Sequence, residues 1–204
     1  MKRLLWLVIG ASMTAVAVHA QSAALAQAGK LTPAEQLMVD AQLGTPKLDP
    51  RAVVTAVYFA ASPLRDSVAA IARSGGITVR YHSGVTNLDE VSAVKLVDST
   101  VEDALRTVLN PRGLAFKATG SKAVFVYPDT PENREKYTES MRTFAIAKAD
   151  IGALSVILNR SIAPLGADEL RPTIVSLRDS KVIAARATPD MMAKIARLIA
   201  DNDK

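Results

Sequence analysis

Few side chains in this 204-residue chain are of a type and spacing that could do chemistry. There is no cysteine, so thiol catalysis, a disulfide framework and cysteine-ligated zinc are all excluded. Beyond the first twenty residues the one imidazole is His82, in Tyr81-His82-Ser83-Gly84, a context that reads as an exposed turn following a strand rather than as a general base. Ser92-Ala93-Val94-Lys95 matches the Ser-x-x-Lys pattern of acyl-transfer enzymes. Its surroundings read as a strand, where residues three apart point to opposite faces and the two side chains cannot meet. Gly75-Gly76 lacks the spacing of a phosphate-binding fingerprint and reads as a helix stop. Glu102 and Asp103 sit in the first turn of a helix, where negative charge favours the dipole, and Met191 and Met192 read as core filling. The expectation is no catalytic residue, no metal, no cofactor and no small-molecule substrate.

The elements that would position any site begin after an export signal. Lys2 and Arg3 precede the apolar run from Leu4 to Val18, and Val18-His19-Ala20 supplies small residues where a signal peptidase cuts. Ala24-Leu25-Ala26 is a second acceptable cleavage site, so the expected mature start is Gln21 or Gln27. An apolar run this short falls below the roughly 20 residues of a spanning helix. Removing residues 1–20 takes Lys2 and Arg3 and leaves a net charge of +3, too mild to argue for nucleic acid. Hydrophobic residues make up 49% of the chain but aromatics only 4%, which favours two small cores over one large one.

Residues 21–52 read as a tether with a short helix, opened by Thr32-Pro33-Ala34-Glu35 as a capping box and closed near Leu43 by Gly44 and Pro46. From Val53 to Phe59 the composition is that of a strand. A helix follows, with Ser62 as its cap, Pro63 at its first position, and Leu64, Val68 and Ile71 on one face. Strands are expected from Ile77 to Tyr81 and from Val91 to Val97. Ser99 and Glu102 then form a capping box for a helix through Leu109, and Leu114–Ala118 and Ala123–Tyr127 make a hairpin. The first unit, 53–128, is thus β-α-β-β-α-β-β. Residues 129–140 are polar and read as a linker or helical spacer. The second unit, 141–203, reads as β-α-β-β-α: a strand with Phe144 and Ile146, a helix capped by Asp150, strands near 173–177 and 181–186, and a last helix opened by Thr188-Pro189. The fold class expected is α+β, two small α/β sandwiches.

Val57-Tyr58-Phe59, Ser62-Pro63-Leu64-Arg65-Asp66-Ser67-Val68, Ile77-Thr78-Val79, Ser99-Thr100-Val101-Glu102-Asp103-Ala104-Leu105 and Gly113-Leu114-Ala115-Phe116 together resemble the short N-terminal (STN) domain of secretins and some TonB-dependent receptors. Arg142-Thr143-Phe144, Ala149-Asp150 and the run from Asp179 to Asp190 resemble the next secretin module, a ring-building domain of KH-like topology. The polar spacer between them is similar to that of type IV pilus secretins. The resemblance implies a non-enzymatic, periplasmic interaction module of a type II secretion or type IV pilus machine. Its implied partners are a secretin or an inner-membrane platform protein, with self-association through the second unit. A signalling adaptor that contacts an anti-sigma regulator, as the similar receptor domain does, is the alternative. The sequence ends at Lys204, before any secretin barrel, so a stand-alone accessory protein or a truncated secretin is expected. The expected partner-binding edge is the strand carrying Val53, Thr55, Val57 and Phe59, since a sheet edge accepts a partner strand through main-chain hydrogen bonds.

Overall fold

The computed structural model describes residues 31–49, 53–163 and 166–204. Both candidate signal cleavage sites lie outside these residues. The architecture is α+β, with two small mixed units as the periodicities indicate.

The chain opens with helix α1, Pro33–Leu43. Thr32 caps it: its hydroxyl accepts from the Glu35 N–H, and the Glu35 carboxylate accepts from the Thr32 N–H at 2.8 Å.

The first unit contains β1 (Val53–Pro63), α2 (Leu64–Gly75), β2 (Thr78–Tyr81), β3 (Val91–Thr100), α3 (Val101–Leu109), a 3-10 turn (Asn110–Arg112), β4 (Leu114–Gly120) and β5 (Ala123–Pro128). Strands β1 and β3 form an antiparallel ribbon, while β5 lies between a parallel β2 and an antiparallel β4 in a second sheet. Helices α2 and α3 pack against both sheets and against each other. Leu64, Val68 and Ile71 of α2, spaced four and three apart, meet Val101, Leu105 and Val108 of α3 in a core closed by Leu96, Val124 and Val126.

Two helix starts differ from expectation. Ser62 is not a cap: β1 runs on through a bulge, Ser62 pairs with Ser92, and Pro63 occupies the cap position with no side-chain bond. The first helical amides are met instead by the loop carbonyls of Glu90 and Leu88, at 2.9 Å each. At α3 the cap is Thr100 with Asp103 rather than Ser99 with Glu102, because β3 extends to Thr100 and the helix begins one residue later.

Helix α4 (Pro131–Lys136), capped by Thr130, lies within the polar spacer. The second unit then follows as β6 (Ser140–Ala145), α5 (Ile151–Ile162), β7 (Thr173–Leu177), β8 (Val182–Ala187) and α6 (Pro189–Asn202). Its antiparallel sheet has the order β6-β8-β7. Asp150 caps α5 by accepting from the Ala153 N–H at 2.7 Å. On one face of the sheet, Ile183, Ala185 and Ala187 pack against Leu154 and Leu158 of α5 and Ile195 and Ile199 of α6.

On the opposite face, the helical part of the stretch read as a tether packs against the sheet. Val175, Leu177, Val182 and Ala184 bury Val39 and Leu43 of α1, so the lead-in helix is the outer layer of the second unit. Farther along, Leu48 is buried in the core of the first unit, and the Asp49 N–H donates to the Ser121 carbonyl at 3.1 Å. The physical cause is simple: a helix of 11 residues is marginal alone in water and is stabilised by burying one face.

Candidate functional site: strand edges and the junction between units

The four strand residues singled out by sequence all fall on β1. Val53 stands opposite Thr100, Val57 opposite Leu96 and Phe59 opposite Val94, while Thr55 lies between the paired Val54 and Ala56. Among the described residues β1 pairs with β3 alone, so its second edge carries no strand. The free edge of β3 borders an open groove of about 510 Å³ lined by Ala93, Lys95, Thr107, Pro111 and Arg112. A two-stranded ribbon beside which, among the described residues, no further strand lies offers alternate main-chain N–H and C=O groups to an added strand. Ser92 and Lys95 lie on β3 itself, as expected, three apart on an extended strand.

His82 is not the exposed turn residue expected. Its side chain is 15% exposed, its Nδ1 accepts the Gly84 N–H at 2.8 Å, and its Nε2 lies 3.9 Å from Asp168 Oδ2. With Nδ1 taken up by the Gly84 amide, Nε2 is the ring nitrogen turned toward the carboxylate. Ser83 donates both its hydroxyl and its N–H to Asp168, the latter at 2.6 Å. The hydroxyl is thus spent on the carboxylate rather than on the imidazole, and the three groups form a latch rather than a proton relay. These bonds hold the Asp168 carboxyl below the usual carboxylate range, the Ser83 hydroxyl contributing most.

Around this latch lies a junction between the units that the sequence reading does not find. Tyr137, from the polar spacer, is 2% exposed and packs edge-on to Phe125 with ring centres 5.1 Å apart. Tyr127 and Leu170 complete the cluster. The Tyr137 hydroxyl donates to the Asp168 carbonyl at 3.1 Å, and burial together with the nearby Asp168 charge pushes the phenol up to about 12. The Arg80 guanidinium lies over the Phe125 ring at 4.9 Å and donates to the Glu169 carbonyl at 2.7 Å. Two residues past Tyr137, the half-buried Glu139 lies 3.1 Å from Lys117 Nζ on β4 and 3.4 Å from Arg186 Nε on β8. Arg186, itself 8% exposed, also donates to the Leu43 and Gly44 carbonyls at the end of α1 and to the Thr173 hydroxyl. One aromatic in a polar run and one arginine in the apolar run from Val182 to Ala187 are the only sequence signals of this network.

The short C-terminal acidic run has a role as well. The Asp203 carboxylate accepts from the N–H groups of Ala147, Lys148 and Ala149, at 2.7–2.9 Å, which keeps its carboxyl below the ordinary range. Among the described residues no three His, Asp or Glu side chains converge as metal ligands, and no helix is long and apolar enough to cross a membrane.

No family model matches the chain, and no curated protein matches it. Solved structures do. The N-terminal domain of the secretin XcpQ from Pseudomonas aeruginosa, as its S210C dimer mutant, is similar at a TM-score of 0.29 and 15% identity, over 74% of this chain and 66% of that one. The V. cholerae type IV competence pilus secretin PilQ is similar at a TM-score of 0.30 and 18% identity, over 72% of this chain and 38% of that one. The GspC-GspD complex of the type II secretion system of enterotoxigenic Escherichia coli gives a TM-score of 0.29 and 13% identity, over 74% of this chain and 99% of that one. The chain thus spans just under two thirds of the XcpQ fragment and well under half of PilQ.

Proposed function

We propose that this chain is an exported, non-enzymatic interaction module of the cell envelope that docks to a secretin-type secretion or pilus machine, with the free edge of β1 as its docking strand. The observation that carries this reading is the 11-residue strand β1, paired on one edge alone among the described residues. Edge strands of this length template pairing with another chain unless something covers them. Val57 and Phe59 stand across from Leu96 and Val94 in the ladder, and an edge strand offers a partner its main-chain N–H and C=O groups. The family resemblance of 53–128 and of the second unit supplies the kind of machine. It also supplies self-association through the second unit and a periplasmic location.

The test is capture of envelope proteins by Val57→Pro and Tyr58→Pro variants after mild cross-linking. Adjacent residues direct their amides to opposite edges, so one of the two prolines removes an outward donor and leaves the pairing with β3 intact. The variant that keeps the wild-type melting curve is expected to lose a secretin or platform protein from the captured set. Undiminished capture by that folded variant refutes docking through β1.

A further inference from the structure

The groove of about 510 Å³ beside the free edge of β3 holds a guanidinium that the fold leaves partly unsatisfied. One wall is the strand itself, at Ala93, Val94 and Lys95, and the other is Thr107 of α3 with Pro111 and Arg112 of the 3-10 turn. The Arg112 side chain is 9% exposed and the residue is fixed at both ends. Its Nη1 donates to the Val108 carbonyl in the last turn of α3, and its own carbonyl accepts from Asn87 Nδ2, each at 3.1 Å. Its Nε is buried and has no hydrogen-bond partner among the described residues. The ion-pair partner of that atom is Glu90, whose Oε2 stands 3.9 Å away, beyond hydrogen-bond reach. Glu90 is 60% exposed and lines the same groove, so it screens the charge without being held by it.

A buried donor without an acceptor destabilises a fold, more so when it is charged, and nearly all such donors are met by some partner. Glu139 Oε2 and Arg186 Nε are also buried without a hydrogen bond, but those two face each other at 3.4 Å, whereas Arg112 lines an open groove. With Nη1 spent on Val108, the Nε–Nη2 edge of the planar guanidinium is the one left to take a carboxylate on two parallel bonds. Lys95, exposed on the facing strand, adds a second cation to the same groove.

We propose that this groove docks an extended acidic segment of a partner protein, which pairs with β3 through its main chain and seats one Asp or Glu carboxylate on Arg112 in place of Glu90. The strand edge selects an extended backbone, and the guanidinium selects an acid at one position along it. Val91 and Val97, exposed at 59% and 49%, alternate with Val94 and Leu96 on the outer face of β3 and offer apolar contact to the segment on either side of that acid. This site uses the opposite edge of the ribbon from docking through β1 and does not rest on it.

The probe is a display library of random linear peptides of 10 residues, the length of β3, selected on the purified chain. The peptides recovered are expected to share one acidic position and to bind with a Kd below about 1 mM. Replacing that acid by its amide, or Arg112 by Gln, should weaken binding at least about tenfold. Glu90→Gln removes the competing carboxylate and should instead tighten binding about two- to fivefold, which a purely structural Arg112 would not produce. Ala93→Trp, at an exposed position, narrows the groove from the strand side and should abolish binding with the melting curve of the wild type, so loss of the site is told apart from loss of the fold. In NMR spectra of the nitrogen-labelled chain, the Arg112 Nε–H and the amides of residues 93–95 should shift as the acidic peptide is added. Recovery of no peptide, or of peptides with no common acidic position, overturns the proposal. So does undiminished binding to folded Arg112→Gln or Ala93→Trp chains, or a Glu90→Gln chain that binds no tighter. The β1 proline variant that stays folded should bind the peptide as the wild type does, so the two proposals fail separately.

Discussion

Gly75 and Gly76 are adjacent at the end of α2 but are required for different reasons. Gly76 takes a left-handed conformation, φ 60°, and a Cβ built there meets nothing within 4 Å. A Cβ on Gly75 would lie 2.3 Å from Cγ2 of Val101, a core residue of α3 that is 1% exposed and has no room to yield. Gly76→Ala is therefore expected to cost about 1 kcal/mol, the backbone penalty alone. Gly75→Ala overpacks the contact between α2 and α3 and is expected to cost more, about 1–3 kcal/mol. Urea denaturation of the two variants checks the order, and a larger loss at Gly76 would refute this account of the pair. A glycine pair after Leu64, Val68 and Ile71 does announce the end of a helix in sequence. Which glycine serves the turn and which the packing is not legible, because Val101 is far along the chain and comes near only when the helices dock. The caps show the same limit: Thr100 and Asp103 are as good a pair as Ser99 and Glu102, and only the length of β3 decides between them.

At the scale of elements, periodicity carries most of the information. The spacing of Leu154, Leu158 and Ile162, or of Met192, Ile195 and Ile199, specifies a helix with one apolar face whatever it meets. What an apolar face meets is not encoded locally, which is why α1 is legible as a helix and not as the outer layer of a distant sheet. The side chain that fixes it there is Arg186, with its guanidinium under the last carbonyls of α1 and its Nε facing Glu139. Arg186→Met removes the buried member of a largely shielded charged set and leaves Glu139, among the described residues, with Lys117 as its ion-pair partner. Breaking such a set by deleting one partner typically costs about 3–5 kcal/mol. The loss should fall first on α1, whose remaining polar ties to the second unit include the bond from the Ser180 hydroxyl to Glu35. Amide exchange across residues 33–43 is therefore expected to accelerate more than exchange across α5 and α6. Uniform acceleration across the second unit would mean that Arg186 supports the sheet rather than the lead-in.

At the scale of the whole molecule, several stretches of the described residues join the two units, the Lys117–Glu139–Arg186 set among them. The lead-in lays α1 on the second unit and Leu48 into the first. The polar spacer buries Tyr137 between them, and the loop carrying Asp168, Glu169 and Leu170 closes over β2 and its following turn. This clamp is the least legible part of the structure, because its members come from several separate stretches of chain and no one stretch looks unusual beyond a single tyrosine or arginine. The phenol of Tyr137 makes the clamp testable by pH. Its folded pKa is raised from 10.0 to about 12, chiefly by burial, so the native state holds the phenol neutral where the unfolded chain ionises. A raised folded pKa means stability that is complete below the unfolded value and is lost as pH climbs through the folded one. Between pH 10 and about 12 the molecule should therefore lose stability through Tyr137, and Tyr81 and Tyr127, also raised by burial, act in the same direction. Tyr137→Phe removes the ionisation while keeping the ring against Phe125. It should cost about 1 kcal/mol at neutral pH for the lost hydrogen bond to the Asp168 carbonyl. Across the alkaline window its stability should then fall less steeply than that of the wild type. Urea denaturation at steps through pH 8–11.5 measures both slopes, and parallel slopes would show that the buried phenol is not what the clamp protects.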